Sequence, residues 1–275
     1  MQDADSVARV RALLAELPRP IGFVPTMGAL HDGHLELVRR ARERCRVVVA
    51  SIFVNPLQFG PNEDLAKYPR DPVHDRERLA AAGVDALFAP QPETMYPGSF
   101  ATHVDVDSSN ARFEGAIRPG HFRGVLTVIA KLLNIVQPDV LFLGQKDAQQ
   151  AVLTRKMAGD LNFAVELEVV PTVRERDGLA MSSRNRYLDE TQRAAAPSLY
   201  AAVSAVRAAL ENGAAKAEAL AAGTATLSPL GKLDYLDVVD AASFLPIEQL
   251  RPPAFVIGAA RFGTTRLIDN VWIPQ

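Results

Sequence analysis

Six short apolar runs, separated by stretches of helical spacing, fill the first 170 residues, and this alternation leaves few folds open. The runs cover 21–26, 46–53, 86–89, 103–106, 140–143 and 164–170. Several are unbroken and rich in Val, Leu and Phe, as strands buried on both faces are. Between them one helix starts at His34, with Val38, Ala41 and Cys45 at helical spacing. Others cover 72–82 and 122–136, and a fourth begins near Asp147. In the third, Val125, Ile129, Leu132, Leu133 and Val136 share a face. Strand–helix alternation of this kind predicts an α/β fold on a mostly parallel sheet.

The pattern changes after Pro171. A charged turn, Arg174-Glu175-Arg176-Asp177-Gly178, and the run Met181-Ser182-Ser183-Arg184-Asn185 lead into Ala-rich helices over 191–212 and 214–227. Short strands follow at 233–239, 254–260 and 265–268. The expected organisation is an α/β domain over 1–173 and a smaller α+β domain over 174–275.

A 275-residue chain that is 48% hydrophobic has material for one large or two modest domains. A net charge of −2 argues against a nucleic-acid partner, which calls for a basic surplus. Cys45 is the sole cysteine, so no intrachain disulfide forms. The start, Met1-Gln2-Asp3-Ala4-Asp5, is acidic where a secretory signal is basic, and the expected location is the cytoplasm. No apolar run approaches the ~20 residues of a membrane span.

The richest segment is Pro25-Thr26-Met27-Gly28-Ala29-Leu30-His31-Asp32-Gly33-His34. It reads as a strand end, a glycine-bearing turn and a helix N-terminus with two histidines. Free N–H groups and the positive dipole end suit an anion such as phosphate there. Gly28 and Gly33 have P-loop spacing, but His34-Leu35 stand where Lys and Ser/Thr belong, so the P-loop reading fails. Two histidines in a turn also serve as plain caps. A zinc pair lacks a third ligand cluster. A helix end is worth ~0.3–1 kcal/mol per exposed charge, whereas a positioned acid contributes roughly 10²–10⁴-fold in rate. The imidazoles would therefore carry most of any catalysis.

Two further clusters repeat this logic. In Val140-Leu141-Phe142-Leu143-Gly144-Gln145-Lys146-Asp147, Lys146 follows a strand's carboxyl end, the usual ligand side of an open α/β sheet. The competing reading is an exposed lysine beside a helix cap, Asp147 with Gln150 three residues on. Ser182, Ser183 and Arg184 could clamp a triphosphate or form an ordinary capped turn.

The His-x-Gly-His setting resembles the signature of class I nucleotidyltransferases. Across nearly the whole chain, an ordered set of motifs resembles the pantothenate synthetase (pantoate–β-alanine ligase) family. These are Pro25-Thr26-Met27-Gly28 with His31-x-Gly33-His34, Ser51-Ile52-Phe53-Val54-Asn55-Pro56-Leu57-Gln58-Phe59, Asp64-x-x-x-Tyr68-Pro69-Arg70, Arg118-Pro119-Gly120-His121-Phe122-Arg123-Gly124-Val125, Phe142-x-Gly144-Gln145-Lys146-Asp147 with Gln150, and Met181-Ser182-Ser183-Arg184-Asn185.

The resemblance implies a Rossmann-like parallel-sheet nucleotidyltransferase domain with a C-terminal α+β lid. It implies that ATP adenylates the carboxylate of (R)-pantoate, releasing pyrophosphate, and that the amine of β-alanine then displaces AMP. ATP contacts are implied at Met27, Gly28, Ala29, Leu30, His31, Asp32, Gly33, His34, Gly144, Gln145, Lys146, Asp147, Val173, Met181, Ser182, Ser183 and Arg184. Of these, His34, His31, Lys146, Ser182, Ser183 and Arg184 would serve catalysis, and Gln58 and Gln150 would hold pantoate. Mg2+ is implied with ATP, with Asp75 as its protein ligand and His74 where a second carboxylate is expected. A homodimer through the first domain is implied as well. Glu114 and Arg118 are candidates for the AMP ribose or the second substrate. His121 is a candidate either for the site or for packing at a helix start. His103 reads as a surface or edge-strand residue, and Asn55 is expected to fix a strand end beside the substrate.

Overall fold

Strands without polar alternation need cover on both faces, and the fold supplies it. The computed structural model describes residues 1–61, 63–106 and 112–275. Its elements are β1 (Gln2–Ala4), α1 (Val7–Ala15), β2 (Ile21–Thr26), α2 (Asp32–Arg44), β3 (Val47–Ile52), α3 (Pro72–Ala81), β4 (Ala86–Phe88), α4 (Pro92–Met95), α5 (Glu114–Ile117), α6 (His121–Val136), β5 (Val140–Gly144), α7 (Ala148–Asp160) and β6 (Glu166–Val170). Beyond them come α8 (Glu190–Ala195), α9 (Ser198–Glu211), α10 (Lys216–Thr226), β7 (Gly231–Asp240), β8 (Ala254–Phe262) and β9 (Thr265–Ile273). The chain forms two units, one of Met1–Gly144 and Leu153–Val170, the other of Gln145–Val152 and Pro171–Gln275.

In the first unit, six parallel strands run in the order β1-β4-β3-β2-β5-β6. On one face Leu37, Val38 and Ala41 of α2 and Leu79 of α3 pack with Val24, Val48, Ala50 and Leu87. Phe23 and Val49 alternate to the opposite face and are equally buried. Helix α6 is buried nearly all round, as a helix apolar on every side must be. Chain order reverses between β2 and β5, and the carboxyl ends at such a switch point form the usual ligand crevice of open α/β sheets.

The second unit carries the antiparallel sheet β7-β8-β9. Val203, Val206 and Leu210 of α9 pack on Val238, Val256 and Val271.

Several expectations change. Helix α2 begins at Asp32 rather than His34, with His31 as its N-cap. The expected helix over 191–212 is two helices, because Pro197 stands between α8 and α9 and lacks an N–H to continue the first. Strand β1 carries no sequence signal; it is three residues long and two of them are exposed. Residues 103–106 form no strand: Val104 donates to Thr127 Oγ1 at 3.0 Å and accepts from it at 3.3 Å. A helix hydroxyl thus takes the place of a strand neighbour. Among the described residues, no helix is long and apolar enough to cross a membrane.

Candidate active site

The histidine turn is built from three directions. Thr26 Oγ1 at the end of β2 donates to the Ser51 carbonyl at 2.7 Å and accepts from the Gly28 amide at 3.2 Å. Gly28 (φ 77°) and Ala29 (φ 51°) then take left-handed backbone, a strain that alanine tolerates only when its surroundings enforce it. Helix α3 enforces it. The Asp75 carboxylate accepts the Ala29 amide at 2.9 Å and the Leu30 amide at 2.8 Å. Three residues on, and so on the same helix face, Arg78 donates to the Leu30 carbonyl at 2.8 Å and pairs with Asp32. A Cβ on Gly28 would lie 2.8 Å from Asp75 Oδ2, so glycine is required there on contact as well as on φ.

This grip points the two imidazoles. Their ring centroids stand 4.0 Å apart, and both residues are half-buried at the first turn of α2. The His31 amide donates to His34 Nδ1 at 3.3 Å. With Nδ1 an acceptor, the neutral ring carries its proton on Nε2. His34 is therefore a preset donor at a helix N-terminus, where the first amides have no carbonyl one turn back.

Gln58 joins the same unit's site. Its Nε2 contacts Met27 Sδ at 3.1 Å, and its Oε1 accepts from Asn55 Nδ2 at 3.0 Å. Asn55 is 1% exposed and is itself tied to the Gly124 carbonyl at 3.0 Å and the Tyr96 hydroxyl at 2.8 Å. A Cβ at Gly124 would meet the Leu57 carbonyl at 2.2 Å, so only glycine lets α6 come this close.

His121 opens α6 and braces Gln58 from behind. Its Nδ1 lies 2.9 Å from the Gln58 carbonyl and its Nε2 lies 2.9 Å from Arg118 Nη1. Arg118 can only donate, so Nε2 accepts and the Nδ1–H donates, which is the neutral ring. Burial, aided by the Arg118 charge, lowers its pKa from 6.5 to about 4. The folded state thus binds fewer protons than the unfolded chain between these values, and stability falls as pH drops from 6.5 toward 4. The contribution is up to about 3 kcal/mol. Urea unfolding at pH 7 and pH 4 is expected to lose this much more in the wild type than in His121→Gln. Equal losses would contradict the assignment. Arg118 itself is held by both oxygens of Glu63, at 2.8 and 2.6 Å. It braces Gln58 rather than offering a free guanidinium.

The carboxylate expected at a magnesium site has a structural task in this fold. Asp75 is 2% exposed and spends an oxygen on each of two backbone amides. Asp75 shapes the histidine turn.

In the second unit, Gln145, Lys146 and Asp147 form a 3-10 turn ahead of α7. The Lys146 ammonium lies 3.4 Å from the Asp147 carboxylate, and Gln150 follows, half-buried, in the first turn of α7. The Met181 amide donates to the Val173 carbonyl at 3.0 Å, making these two neighbours across a hairpin turned at Gly178. Ser182 Oγ then caps the next turn by accepting the Arg184 amide at 3.3 Å. Thus Met27, His31, His34 and Gln58 gather in one unit. Lys146, Val173, Met181, Ser182, Ser183 and Arg184 lie in the other. The gripping residue Arg78 carried no local motif to announce it.

A family model described as pantoate-β-alanine ligase matches residues 2–272. Pantothenate synthetase of Pelotomaculum thermopropionicum is 50% identical over 278 residues, 98% of each chain. The crystal structure of pantothenate synthetase from Thermus thermophilus superposes with a TM-score of 0.96 at 50% identity, covering 100% of both chains. That of pantoate-β-alanine ligase from Francisella tularensis, complexed with β-γ ATP and β-alanine, gives 0.81 at 35% identity over 99% of this chain and 97% of the other.

Proposed function

The chain belongs to the pantoate–β-alanine ligase family, and on that premise we propose how its residues divide the work of an ATP-dependent ligation of pantoate with β-alanine. A free carboxylate is a poor electrophile, so it is first activated. A pantoate carboxylate oxygen attacks the α-phosphorus of ATP. The bond from that phosphorus to the bridging oxygen breaks, and pyrophosphate leaves with the electron pair. The β-alanine amine then attacks the acyl carbon of the pantoyl-adenylate, the bond to the AMP oxygen breaks, and the amine sheds a proton.

His34 carries the first step. The observation behind this is the His31 amide on His34 Nδ1 at 3.3 Å, which sets the neutral ring's proton on Nε2, a donor suited to the charge that grows on the departing pyrophosphate. His31 and the N-terminus of α2 add to the same field. Gln58 receives pantoate. Thioether sulfur is a weak acceptor, so its Nε2 gains by exchanging Met27 for a substrate oxygen. Gln150 serves the same substrate as a neutral amide. Lys146, Ser182, Ser183 and Arg184 serve the triphosphate as donors. Gly144, Gln145, Asp147, Val173 and Met181 provide backbone around the nucleotide, and residues 174–275 act as the lid. Magnesium enters as part of the ATP substrate, carried on the phosphates. The enzyme works as a cytoplasmic homodimer. The test is product analysis with ATP, (R)-pantoate and β-alanine: equimolar AMP, pyrophosphate and pantothenate are expected, and ADP as product would reject the adenylation chemistry.

A further inference from the structure

Lys146 belongs to a turn whose shape is set by a residue 124 positions away. Asn270, on β9, is 2% exposed. Its Nδ2 donates to the Gln145 carbonyl at 2.8 Å and the Lys146 carbonyl at 3.0 Å. Its Oδ1 accepts from Gln145 Nε2 at 3.1 Å. Both amide hydrogens and the amide oxygen are used, and all three bonds end on two consecutive residues of the turn. Only a side chain with paired donors and an acceptor meets this demand. Aspartate would set a carboxylate against two carbonyls, and leucine of similar size would leave both carbonyls without that partner.

Asn270 is itself held. Its own amide donates to Asp269 Oδ1 at 2.7 Å, and its carbonyl accepts from Arg174 Nη2 at 3.2 Å. Arg174 grips the buried Asp269 with both terminal nitrogens, at 2.7 and 2.8 Å, and lies over the Tyr200 ring at 3.7 Å. Arg174 also donates to the Gly178 carbonyl at 3.1 Å, inside the hairpin that ends at Met181. Two adjacent residues of β9 thus anchor both segments of this unit that carry donors for phosphate.

We propose that Asn270 is a positioning residue for the ligase reaction, fixing Lys146 for the nucleotide phosphates. This rests on the reading of Lys146 given above. The test compares wild type, Asn270→Ala, Lys146→Ala and the double variant by steady-state kinetics in ATP and in pantoate, with thermal unfolding to confirm folding. Misplacement of a charge-stabilising group by about an ångström costs about 10²-fold. Asn270→Ala is therefore expected to lower kcat/KM for ATP about that much, to leave the KM for pantoate unchanged, and to add nothing once Lys146 is alanine. Should Asn270→Ala not fold, Asn270→Ser, which keeps one donor, carries the same comparison with a smaller loss. An impaired Lys146→Ala beside a wild-type Asn270→Ala would overturn the inference alone. So would an equal loss from Asn270→Ala in both backgrounds, which marks a general structural role. A wild-type Lys146→Ala would overturn the reading of Lys146 and the inference with it.

Discussion

His34→Ala is expected to slow pyrophosphate release by roughly 10²–10⁴-fold, the range for a positioned proton donor. The protein should still fold, because His34 is half-buried on the first turn of α2 and the grip on the turn comes from Asp75 and Arg78. Pantoate affinity should hold, since the network around Gln58 passes through Asn55 and His121 instead. A loss in kcat and kcat/KM together, with pantoate binding intact, is the signature of an interaction made only in the transition state. Rapid-quench measurement of pyrophosphate with ATP and pantoate reads this directly. An unchanged burst would remove His34 from the chemistry.

The second large effect belongs to Asp75→Asn. The amide keeps the volume but turns one acceptor into a donor facing a backbone N–H. An unsatisfied buried amide costs ~1–3 kcal/mol, and the loss falls on a turn that already holds Gly28 and Ala29 at positive φ. Stability should drop by about that amount, and kcat/KM for ATP by about 10²-fold as the two imidazoles lose their aim. The magnesium concentration giving half-maximal rate should not move. A metal ligand would behave in the opposite way, with the requirement raised and activity recovered in excess magnesium. Recovery of that kind would restore the reading of Asp75 suggested by family resemblance.

What the sequence made legible was local. The histidine turn could be read because strand, glycine, cap and helix follow one another within ten residues, so each residue's role depends on its neighbours. The parallel sheet could be read because its strands are continuously apolar. Long-range contacts escaped. The family resemblance offered Asp75 only as a metal ligand; its hold on the Ala29 and Leu30 amides is visible only in the folded chain. Asn270 sits in a strand whose pattern says nothing of Gln145 and Lys146. The alternation of His103, Val104 and Val106 is genuine, yet the partner it finds is the Thr127 hydroxyl. Pairing partners, unlike periodicity, are a property of the folded chain.

Exchange of labelled pyrophosphate into ATP tests adenylation at the histidine turn most directly. Exchange should require pantoate, proceed without β-alanine, and fall with His34→Ala in step with the burst. Exchange that demands β-alanine, or label appearing through ADP and phosphate, would contradict an acyl-adenylate formed at His34.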